Sequence, residues 1–403
     1  MKLKLETEFQ DTEIGKIPRE WKIKRLGHIV KYVKGKKPSV LFDERLSEEF
    51  VPYLTADYMR GLDKPKWCNP KLESNIIRVS RDDVIMIWDG SSGDVFTGFD
   101  GILASTMIRI MPSIEVNKKF LYYYLMVNFE KFRSTTVGTV IPHVNKKVFE
   151  ESPIPVPPLH EQVRIAEILS TVDRAIEVVD AGVARLEGLK KALMRELLTG
   201  RIRVREENGK LVFNKETEYQ DTEIGKIPKG WKIVKLKEIL ILRNGKRPTL
   251  SEEGWIPVYG ANGIMGYTTD FLIDNDYTVV IGRVGASGEV RLAQGKIWVS
   301  DNTLYSEKYD SSKVFMPFLY YLLKDKKLSR FAHKTTHPII TQSFLNDLPI
   351  QLPPLAEQRI IADILLTIDG AIELYHKEKD MLGRLKKGLM YVLLIGRVRV
   401  MED

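Results

Sequence analysis

Cysteine is nearly absent from this chain, which has Cys68 alone among its 403 residues. A single cysteine excludes a disulfide within the chain and is typical of a reducing compartment. No histidine lies near Cys68 at the spacing of zinc ligands, which favours a buried structural thiol. Long apolar runs are also missing, since no window approaches the ~18 uncharged apolar residues of a membrane span. No apolar segment typical of a signal peptide follows the first lysines. We therefore expect a soluble, cytoplasmic protein.

Motifs of catalysis are lacking as well. The sequence has no G-x-x-x-x-G-K-[ST] phosphate-binding loop. The glycine-rich residues 282–288 are followed by a strand-like run, which favours a turn over a dinucleotide site. His333 and His337 are four residues apart, but Pro338 follows them and no third ligand candidate is near. The sequence thus predicts no catalytic residue, no metal site and no cofactor bound by this chain.

An excess of charge of one sign is present but small. Lysine and arginine outnumber aspartate and glutamate by 62 to 54, giving a net charge of +8 and a pI near 9.1. This is a mild bias towards polyanionic partners such as nucleic acids, and it does not identify one by itself.

What the sequence does contain is an internal repeat. The stretch ETEFQDTEIGKIPREW at residues 6–21 returns 210 positions later as ETEYQDTEIGKIPKGW. Two further pairs recur 196 positions apart: residues 152–177 with 348–373, and residues 189–204 with 385–400. The second copy is therefore 14 residues shorter in its middle, and each half has a fixed head, a variable middle and a fixed tail.

The two middles share little sequence beyond the echoes GKKPS with GKRPT and WDGSSGDV with RVGASGEV. Short β-branched runs bounded by glycine and proline predict strands, and one apolar stretch in each middle predicts a helix. We predict an α/β (α+β) protein with an internal pseudo-two-fold repeat. Its predicted segments are a head (1–21), a first globular domain (22–151), a central region with a long helix (152–204), a linker with the second head (205–231), a second globular domain (232–347) and a C-terminal region with a long helix (348–403).

Apolar residues in both tails alternate spacings of three and four, which predicts two helices of about 40 residues and about 60 Å each. One lysine interrupts the seam of the first helix. The alternative is that each helix packs only on its own domain. A helix of this length extends beyond a domain of about 130 residues, which disfavours that alternative. We predict that the two helices pair antiparallel as a coiled-coil-like spacer between the domains. The seam candidates are Ile165, Leu169, Val172, Ile176, Val179, Leu186 and Leu193 in the first helix, and Ile361, Leu365, Ile368, Ile372, Leu382 and Leu389 in the second.

Two similar domains at a fixed separation suit a ligand with regularly spaced features, and duplex DNA is such a ligand. Basic and polar loops occur at matching places in both middles, where lysine and arginine would neutralise phosphates and arginine or asparagine would read base edges. Most individual lysines in such loops are equally explained as solvated surface. The DNA-binding candidates are Lys34, Lys36, Lys37, Arg133, Lys146 and Lys147 in the first half, and Arg243, Asn244, Lys246, Arg247, Arg283, Lys334 and His337 in the second.

The head DTEIGKIPREW, the elements PPLHEQ at residues 157–162 and PPLAEQ at 353–358, and the ending LKKALMRELLTGRIRV resemble the specificity subunit of type I restriction-modification systems. The resemblance covers essentially the whole chain. It implies that each middle is a target recognition domain for one half of a split DNA sequence. It also implies that the long helices set the gap between the halves and dock two adenine methyltransferase subunits, which carry S-adenosylmethionine. A separate ATP-driven and Mg-dependent restriction subunit would join them, and no catalysis would belong to this chain.

Two other functions stay open on the residues alone. The first is a structural protein whose two domains bind other proteins and no nucleic acid. The second is a self-sufficient methyltransferase or nuclease, which the missing motifs disfavour.

Overall fold

The computed structural model describes residues 2–90, 93–134, 143–331 and 339–401. The chain folds into two compact units. Unit 1 contains Met1–Val179 and Glu378–Asp403, and unit 2 contains Asp180–Lys377. Both the beginning and the end of the chain therefore belong to unit 1.

The strands are short and lie mostly in the two middles. In the first half they are β1 (Lys2–Leu5), β2 (Phe9–Thr12), β3 (Gly15–Pro18), β4 (Lys22–Arg25), β5 (Val30–Lys34), β6 (Val51–Leu54), β7 (Lys66–Cys68), β8 (Arg78–Val79), β9 (Val84–Ile87), β10 (Val95–Phe96), β11 (Gly101–Leu103), β12 (Met107–Pro112) and β13 (Pro153–Val156). In the second half they are β14 (Ile202–Glu207), β15 (Lys210–Lys215), β16 (Tyr219–Thr222), β17 (Gly225–Pro228), β18 (Lys232–Lys235), β19 (Leu240–Asn244), β20 (Ile256–Gly260), β21 (Gly263–Thr268), β22 (Ile273–Gly282), β23 (Val290–Val299), β24 (Thr303–Tyr309), β25 (Pro349–Leu352) and β26 (Val398–Met401).

Two of the helices are far longer than the others. The helices are α1 (Leu26–Ile29), α2 (Ala56–Met59), α3 (Lys118–Val127), α4 (Phe129–Ser134), α5 (Lys146–Glu151), α6 (Leu159–Leu197), α7 (Met316–Asp325), α8 (Gln342–Asn346) and α9 (Leu355–Leu393), with 3₁₀ turns at Pro70–Leu72, Leu236–Glu238 and Leu328–Phe331. The long helices α6 and α9 have 39 residues each, close to the predicted 40. Nowhere in the described ranges is a helix both long and apolar enough to cross a membrane.

Unit 1 contains two four-stranded sheets. One has the order β10-β9-β12-β5 and is antiparallel throughout. The other has the order β7-β6-β11-β8, in which β6 and β11 are parallel. Three two-stranded pairs accompany them, namely β1-β26, β2-β3 and β4-β13.

Unit 2 joins its strands into one six-stranded sheet of order β19-β24-β22-β23-β20-β21, in which β20 and β23 are parallel. Its two-stranded pairs are β14-β15, β16-β17 and β18-β25. The order β23-β22-β24-β19 matches the order β10-β9-β12-β5 of unit 1. The two middles therefore share a sheet topology although they share little sequence.

The helix that follows each sheet begins at a corresponding place. Asn117 caps α3 by accepting hydrogen bonds from the N–H groups of Lys119 and Phe120. The proline at the start of α7 takes one of the first positions, where a missing N–H is tolerated. Buried aromatic residues of both helices, Phe120 and Tyr123 in α3 and Phe318 and Tyr321 in α7, belong to the main hydrophobic cluster of their unit.

The long helices pair antiparallel within each unit, as predicted. In unit 1, Ile165 and Leu169 near the start of α6 share a hydrophobic cluster with Met390 and Leu393 at the end of α9. In unit 2, Leu197 at the end of α6 shares a cluster with Ile361 and Leu365 near the start of α9. These clusters also contain the aromatic residues of the middles, so the helix ends pack both on each other and on their own domain. The predicted fold class is thus confirmed.

Candidate nucleic-acid interface

A buried cluster of charge joins head, tail and long helix in unit 1. The carboxylate of Glu161, which is 1% exposed, accepts hydrogen bonds from Arg399 Nε at 2.7 Å and Nη2 at 2.9 Å. It also accepts bonds from the N–H of Val400 at 3.2 Å and the indole Nε1 of Trp21 at 3.1 Å. Arg399 in turn pairs with Glu6 at 2.7 Å. We call Trp21, Glu161 and Arg399 the frame cluster of unit 1.

The same cluster recurs in unit 2. Glu357 accepts hydrogen bonds from Arg203 Nε at 2.8 Å and Nη2 at 2.7 Å, from the N–H of Val204 at 3.2 Å and from Trp231 Nε1 at 3.3 Å. Trp231, Glu357 and Arg203 form the frame cluster of unit 2, and Glu216 takes the place of Glu6 on the arginine. The repeated head, the PPLxEQ element and the tail are therefore repeated because they meet in space. The sequence contains a signal for this cluster, because the glutamate and the arginine occupy matching positions in the two copies of the repeat.

Frame clusters of this kind need glycine at the turn that ends each long helix. Gly396 has a φ of +72° and Gly200 a φ of +71°. A Cβ atom on Gly396 would lie 2.4 Å from Pro18 Cγ, and one on Gly200 would lie 2.4 Å from Pro228 Cγ. Only glycine combines this left-handed conformation with so close an approach.

The glutamine of each PPLxEQ element contacts the middle through main-chain atoms. Gln162 Oε1 accepts from the N–H of Asn117 at 2.8 Å, and Gln162 Nε2 donates to the carbonyl of Glu115 at 3.0 Å. Gln358 makes the same two contacts, with the N–H of Phe315 and the carbonyl of Lys313, both at 2.9 Å. Each glutamine thus fixes the start of the helix that follows the sheet.

Acid is expected to weaken the frame cluster of unit 2 through Glu216. The N–H of Glu218 first, and then Arg203 and the N–H of Thr217, hold the pKa of Glu216 below its ordinary 4.5, against the effect of burial. A carboxylate with a lowered pKa stabilises the folded state above its unfolded pKa and loses that effect as the pH falls through its folded pKa. We predict that Glu216→Gln lowers stability by about 1–3 kcal/mol at pH 7 and that the deficit shrinks below about pH 4.5. Urea unfolding at pH 7 and at about pH 3.5 measures it; a deficit that does not change with pH would contradict it.

A second repeated contact lies between the long helices. In unit 1, Asp173 of α6 accepts a hydrogen bond from Tyr123 Oη at 2.6 Å and pairs with Lys386 Nζ of α9 at 2.5 Å. The lysine also lies over the Tyr123 ring, 5.6 Å from its centroid. Burial, and then the bond to Asp173, raise the pKa of Tyr123, so its hydroxyl stays a donor.

Unit 2 repeats this arrangement with the helices exchanged. Asp369 of α9 accepts from Tyr321 Oη at 2.7 Å and pairs with Lys190 Nζ of α6, which lies 5.3 Å from the Tyr321 centroid. We call the two sets, Tyr123–Asp173–Lys386 and Tyr321–Asp369–Lys190, the polar triads. Lys190 is the residue that interrupts the apolar seam in the sequence, and its contact with Asp369 is one that the sequence did not indicate. A lysine opposite an aspartate disfavours any shifted register, since a shift would leave both against apolar side chains.

The structure places the seam candidates along the inner side of the two helices. Seven of them are buried: Ile165, Leu169, Val172, Val179, Ile361, Leu365 and Ile368. The remaining six are half-buried: Ile176, Leu186, Leu193, Ile372, Leu382 and Leu389. Among these candidates burial is deepest near the start of each helix, at Ile165 and Leu169 in α6 and at Ile361 and Leu365 in α9, where the domain cores add their side chains.

The basic loop candidates of unit 1 lie at the end of the sheet. Lys34 ends β5 and pairs with Asp89 at 2.6 Å. The exposed Lys36 and Lys37 follow Gly35, whose amide bonds the carbonyl of Met107 at 2.9 Å. A Cβ atom at Gly35 would lie 2.2 Å from the carbonyl oxygen of Ala104, so glycine is required for this approach.

Helical candidates of unit 1 pair weakly with neighbours on their own helix. The distances are 3.8 Å for Arg133 with Glu130, 3.7 Å for Lys146 with Glu150 and 3.9 Å for Lys147 with Glu151. Exposed pairs of this kind contribute little to stability, so these cations remain available to a polyanion.

In unit 2 the candidates at the end of β19 occupy the corresponding place. A Cβ atom at Gly245 would lie 2.1 Å from the carbonyl oxygen of Ser300, and the exposed Lys246 and Arg247 follow this glycine. Asn244 accepts a hydrogen bond from Arg283 Nη1 at 3.1 Å. Arg243, by contrast, pairs with Glu307 at 3.1 Å. Lys334 and His337 lie outside the described residues.

The structure thus brings the loop candidates of each unit to one end of its sheet, while the seam candidates lie on the helices. Lys36, Lys37, Lys246 and Arg247 form no ion pair with any other residue in the described ranges. Within those ranges no group of three or more histidine, cysteine, aspartate or glutamate side chains could hold a metal ion. Cys68 is buried.

Comparisons with known proteins agree with this duplicated architecture. The sequence model of the type I restriction modification DNA specificity domain matches twice, at residues 18–186 and 228–384. The chain is 34% identical over 425 residues to the type I restriction enzyme MjaVIII specificity subunit of Methanocaldococcus jannaschii, covering 98% of this chain and 97% of that protein. It is 27% identical to the putative type I restriction enzyme MjaX specificity subunit of the same organism, with the same coverage.

A solved structure shows the same fold. The type I restriction-modification system S subunit from M. genitalium superposes with a TM-score of 0.65 at 19% identity, covering 93% of this chain and 96% of that one. The double match to the domain and the full-length relative confirm the resemblance that the head, the PPLxEQ elements and the tail indicate. This chain belongs to the family of DNA specificity subunits of type I restriction-modification systems.

Proposed function

We propose that this chain recognises a bipartite, asymmetric DNA target, with each middle reading one half of it. The observation that supports the proposal is that the two units have the same scaffold but different polar side chains at the ends of their sheets. Both units share the frame cluster, the polar triad and the sheet order, yet the loops at the sheet ends carry different side chains, Lys34 with Asp89 in one unit and Asn244 with Arg283 in the other. Two copies of one scaffold with different polar groups suit two different half-sites.

The long helices are proposed to act as the ruler between the half-sites. They pair antiparallel in both units, and polar triads disfavour a shifted register in each. At about 1.5 Å per residue, a change in helix length would change the separation of the two readers.

The other activities of the system are proposed to belong to partner subunits. Two adenine methyltransferase subunits would dock on the repeated helices and bring S-adenosylmethionine, and restriction subunits would bring ATP and Mg chemistry. This chain would bind none of these cofactors and catalyse nothing itself. The six segments predicted from the sequence, and a cytoplasmic location, are part of the same proposal.

Shortening both helices by one heptad tests the ruler. Residues 178–184 and 374–380 lie between the two polar triads, so their joint deletion leaves both triads and both frame clusters intact. Seven residues correspond to about 10 Å of helix, or about 3 base pairs of DNA at about 3.4 Å each. We expect the gap between the half-sites to shorten by about 3 base pairs while both half-site sequences stay the same.

The measurement is genome-wide adenine methylation mapping in a host that carries the variant with its methyltransferase partner. Deleting residues 178–184 alone is the matched control, since unequal helices cannot keep the same pairing, and this variant should lose methylation. Altered half-site letters with an unchanged gap would overturn the ruler. Absence of sequence-specific methylation with the unaltered chain and its partner would overturn the proposed function itself.

A further inference from the structure

A small polar cluster in unit 2 joins three separate segments at the end of the sheet. Asn244 ends β19, Arg283 follows β22, and Gln342 begins α8. Asn244 Oδ1 accepts from Arg283 Nη1 at 3.1 Å, and Asn244 Nδ2 donates to Gln342 Oε1 at 3.4 Å. Gln342 Nε2 donates to the carbonyl of Leu242 at 2.8 Å, which ties the cluster to the sheet.

This cluster is held in place without using all of its donors. Among the described residues the guanidinium of Arg283 bonds Asn244 through Nη1 and makes no ion pair, so Nη2 is left to donate, while Nε is buried without a partner. Asn244 is exposed. An arginine fork placed this way matches the O6 and N7 acceptors of guanine, and asparagine or glutamine matches the N6 and N7 of adenine. The cluster thus presents purine-reading groups on a fixed support.

Unit 1 carries three equivalent positions with different chemistry. Lys34 ends β5 as Asn244 ends β19, and Trp88 follows β9 as Arg283 follows β22. Lys146 begins α5 as Gln342 begins α8. Two backbone contacts support the equivalence. The N–H of Trp88 donates to Thr106 and that of Arg283 to Asn302, at 2.8 and 2.9 Å. Isolated bridges join Asp89 to His143 and Val284 to Ile339.

We propose that these three positions in each unit, which we call the reader positions, build the surface that meets the base edges and thereby set the sequences of the two half-sites. The proposal rests on the proposed function and assigns residues to it. In unit 2, Arg283 and Asn244 read adjacent purines, with Gln342 orienting Asn244. In unit 1, Lys34, which pairs with Asp89, and Lys146 supply donors, while Trp88, 8% exposed and stacked on Tyr32 at 5.3 Å, supports them.

The neighbouring Arg243 provides a matched control. It lies one residue from Asn244 on β19, so its side chain points to the other face of the sheet. There it pairs with Glu307 at 3.1 Å. Arg243 and Arg283 have the same charge, so the loss of either changes phosphate attraction alike, and only Arg283 is expected to change the letters.

The experiment is adenine methylation mapping with the full chain and its methyltransferase partner, comparing Arg283→Ala, Asn244→Ala, Lys34→Ala and Arg243→Ala. We expect Arg283→Ala and Asn244→Ala to lose about tenfold to hundredfold discrimination at one or two positions of one half-site. The other half-site and the gap stay the same. Lys34→Ala is expected to alter only the other half-site, and Arg243→Ala neither.

If Arg283→Ala and Asn244→Ala leave both half-site sequences unchanged and methylate as Arg243→Ala does, the assignment of the reader positions is wrong. The proposed bipartite function would still stand. Letters altered in both half-sites by one variant would overturn that assignment too. If Arg283→Ala lowers the thermal midpoint, Arg283→Lys replaces it, because lysine keeps the charge but not the fork. Its relaxed discrimination at the same position supports the proposal, and wild-type discrimination rejects it.

Discussion

Replacing Arg399 with alanine is expected to destabilise unit 1 by about 3–5 kcal/mol, because it leaves the carboxylate of Glu161 buried without its partner. Glu161 is 1% exposed and loses both charge-assisted bonds, while Glu6 and Glu20 lose theirs. The N–H of Val400 and the indole of Trp21 are too few donors to replace a guanidinium. The bond to Glu161, followed by those to Glu20 and Glu6, raises the pKa of Arg399 against the effect of burial, so the arginine stays charged at every accessible pH.

Hydrogen exchange locates the effect of Arg399→Ala and urea unfolding measures its size. Backbone amides of β2, β3 and β4 should exchange faster, while those of β16, β17 and β18 in unit 2 keep their protection. The matched control is Arg164→Ala, which breaks an exposed pair with Glu167 on the same helix and should cost under about 1 kcal/mol. Equal effects of the two substitutions would show that the frame cluster is not a stabilising contact. Arg203→Ala should reproduce the result in unit 2.

Replacing Asp369 with leucine is expected to destabilise unit 2 by about 2–4 kcal/mol. Lys190, whose side chain is 15% exposed, would keep its charge between the helices without a carboxylate. Tyr321 would lose the acceptor of its buried hydroxyl, which costs a further fraction of that total.

The double variant Lys190→Leu with Asp369→Leu is expected to recover most of that loss, to within about 1 kcal/mol of the wild type, because two leucines continue the apolar seam. Urea unfolding of the wild type, both single variants and the double variant gives the coupling energy of the pair, expected above about 1.5 kcal/mol. The exposed Lys377–Glu373 pair on α9 is the matched control and should show a much smaller coupling energy. A coupling energy no larger than that control would mean that the triad does not hold the helices together.

The sequence was sufficient for the repeat, the long helices and their antiparallel pairing. Heptad spacing is a local property, so Ile165, Leu169, Ile361 and Leu365 could be assigned to one seam without coordinates. The strand order of the middles was not predictable. The parallel pairs β6–β11 and β20–β23 join strands far apart in the chain, and short β-branched runs do not state their partners.

Much of the candidate interface was within reach of sequence reasoning, because GKKPS and GKRPT are recognisable echoes and the structure places both at the end of a sheet. The contacts of the candidates were not. Gln342 reaches Asn244 across 98 residues, and Asp369 reaches Lys190 across 179. Neither pair has a spacing that predicts a contact. Lys190 was recognisable only as a charged residue that interrupts an apolar seam.

Gln162 and Gln358 bear on how such a protein can acquire a new specificity. Apart from the proline carbonyl of its own element, each glutamine bonds the amide and carbonyl groups that every sequence possesses, at Asn117 and Glu115 in one copy and at Phe315 and Lys313 in the other. A joint of this kind is indifferent to side chains. Recombination could therefore exchange one whole middle for a foreign one in a single genetic event, provided that the new middle has a helix that starts at the right place and carries the tyrosine of the polar triad.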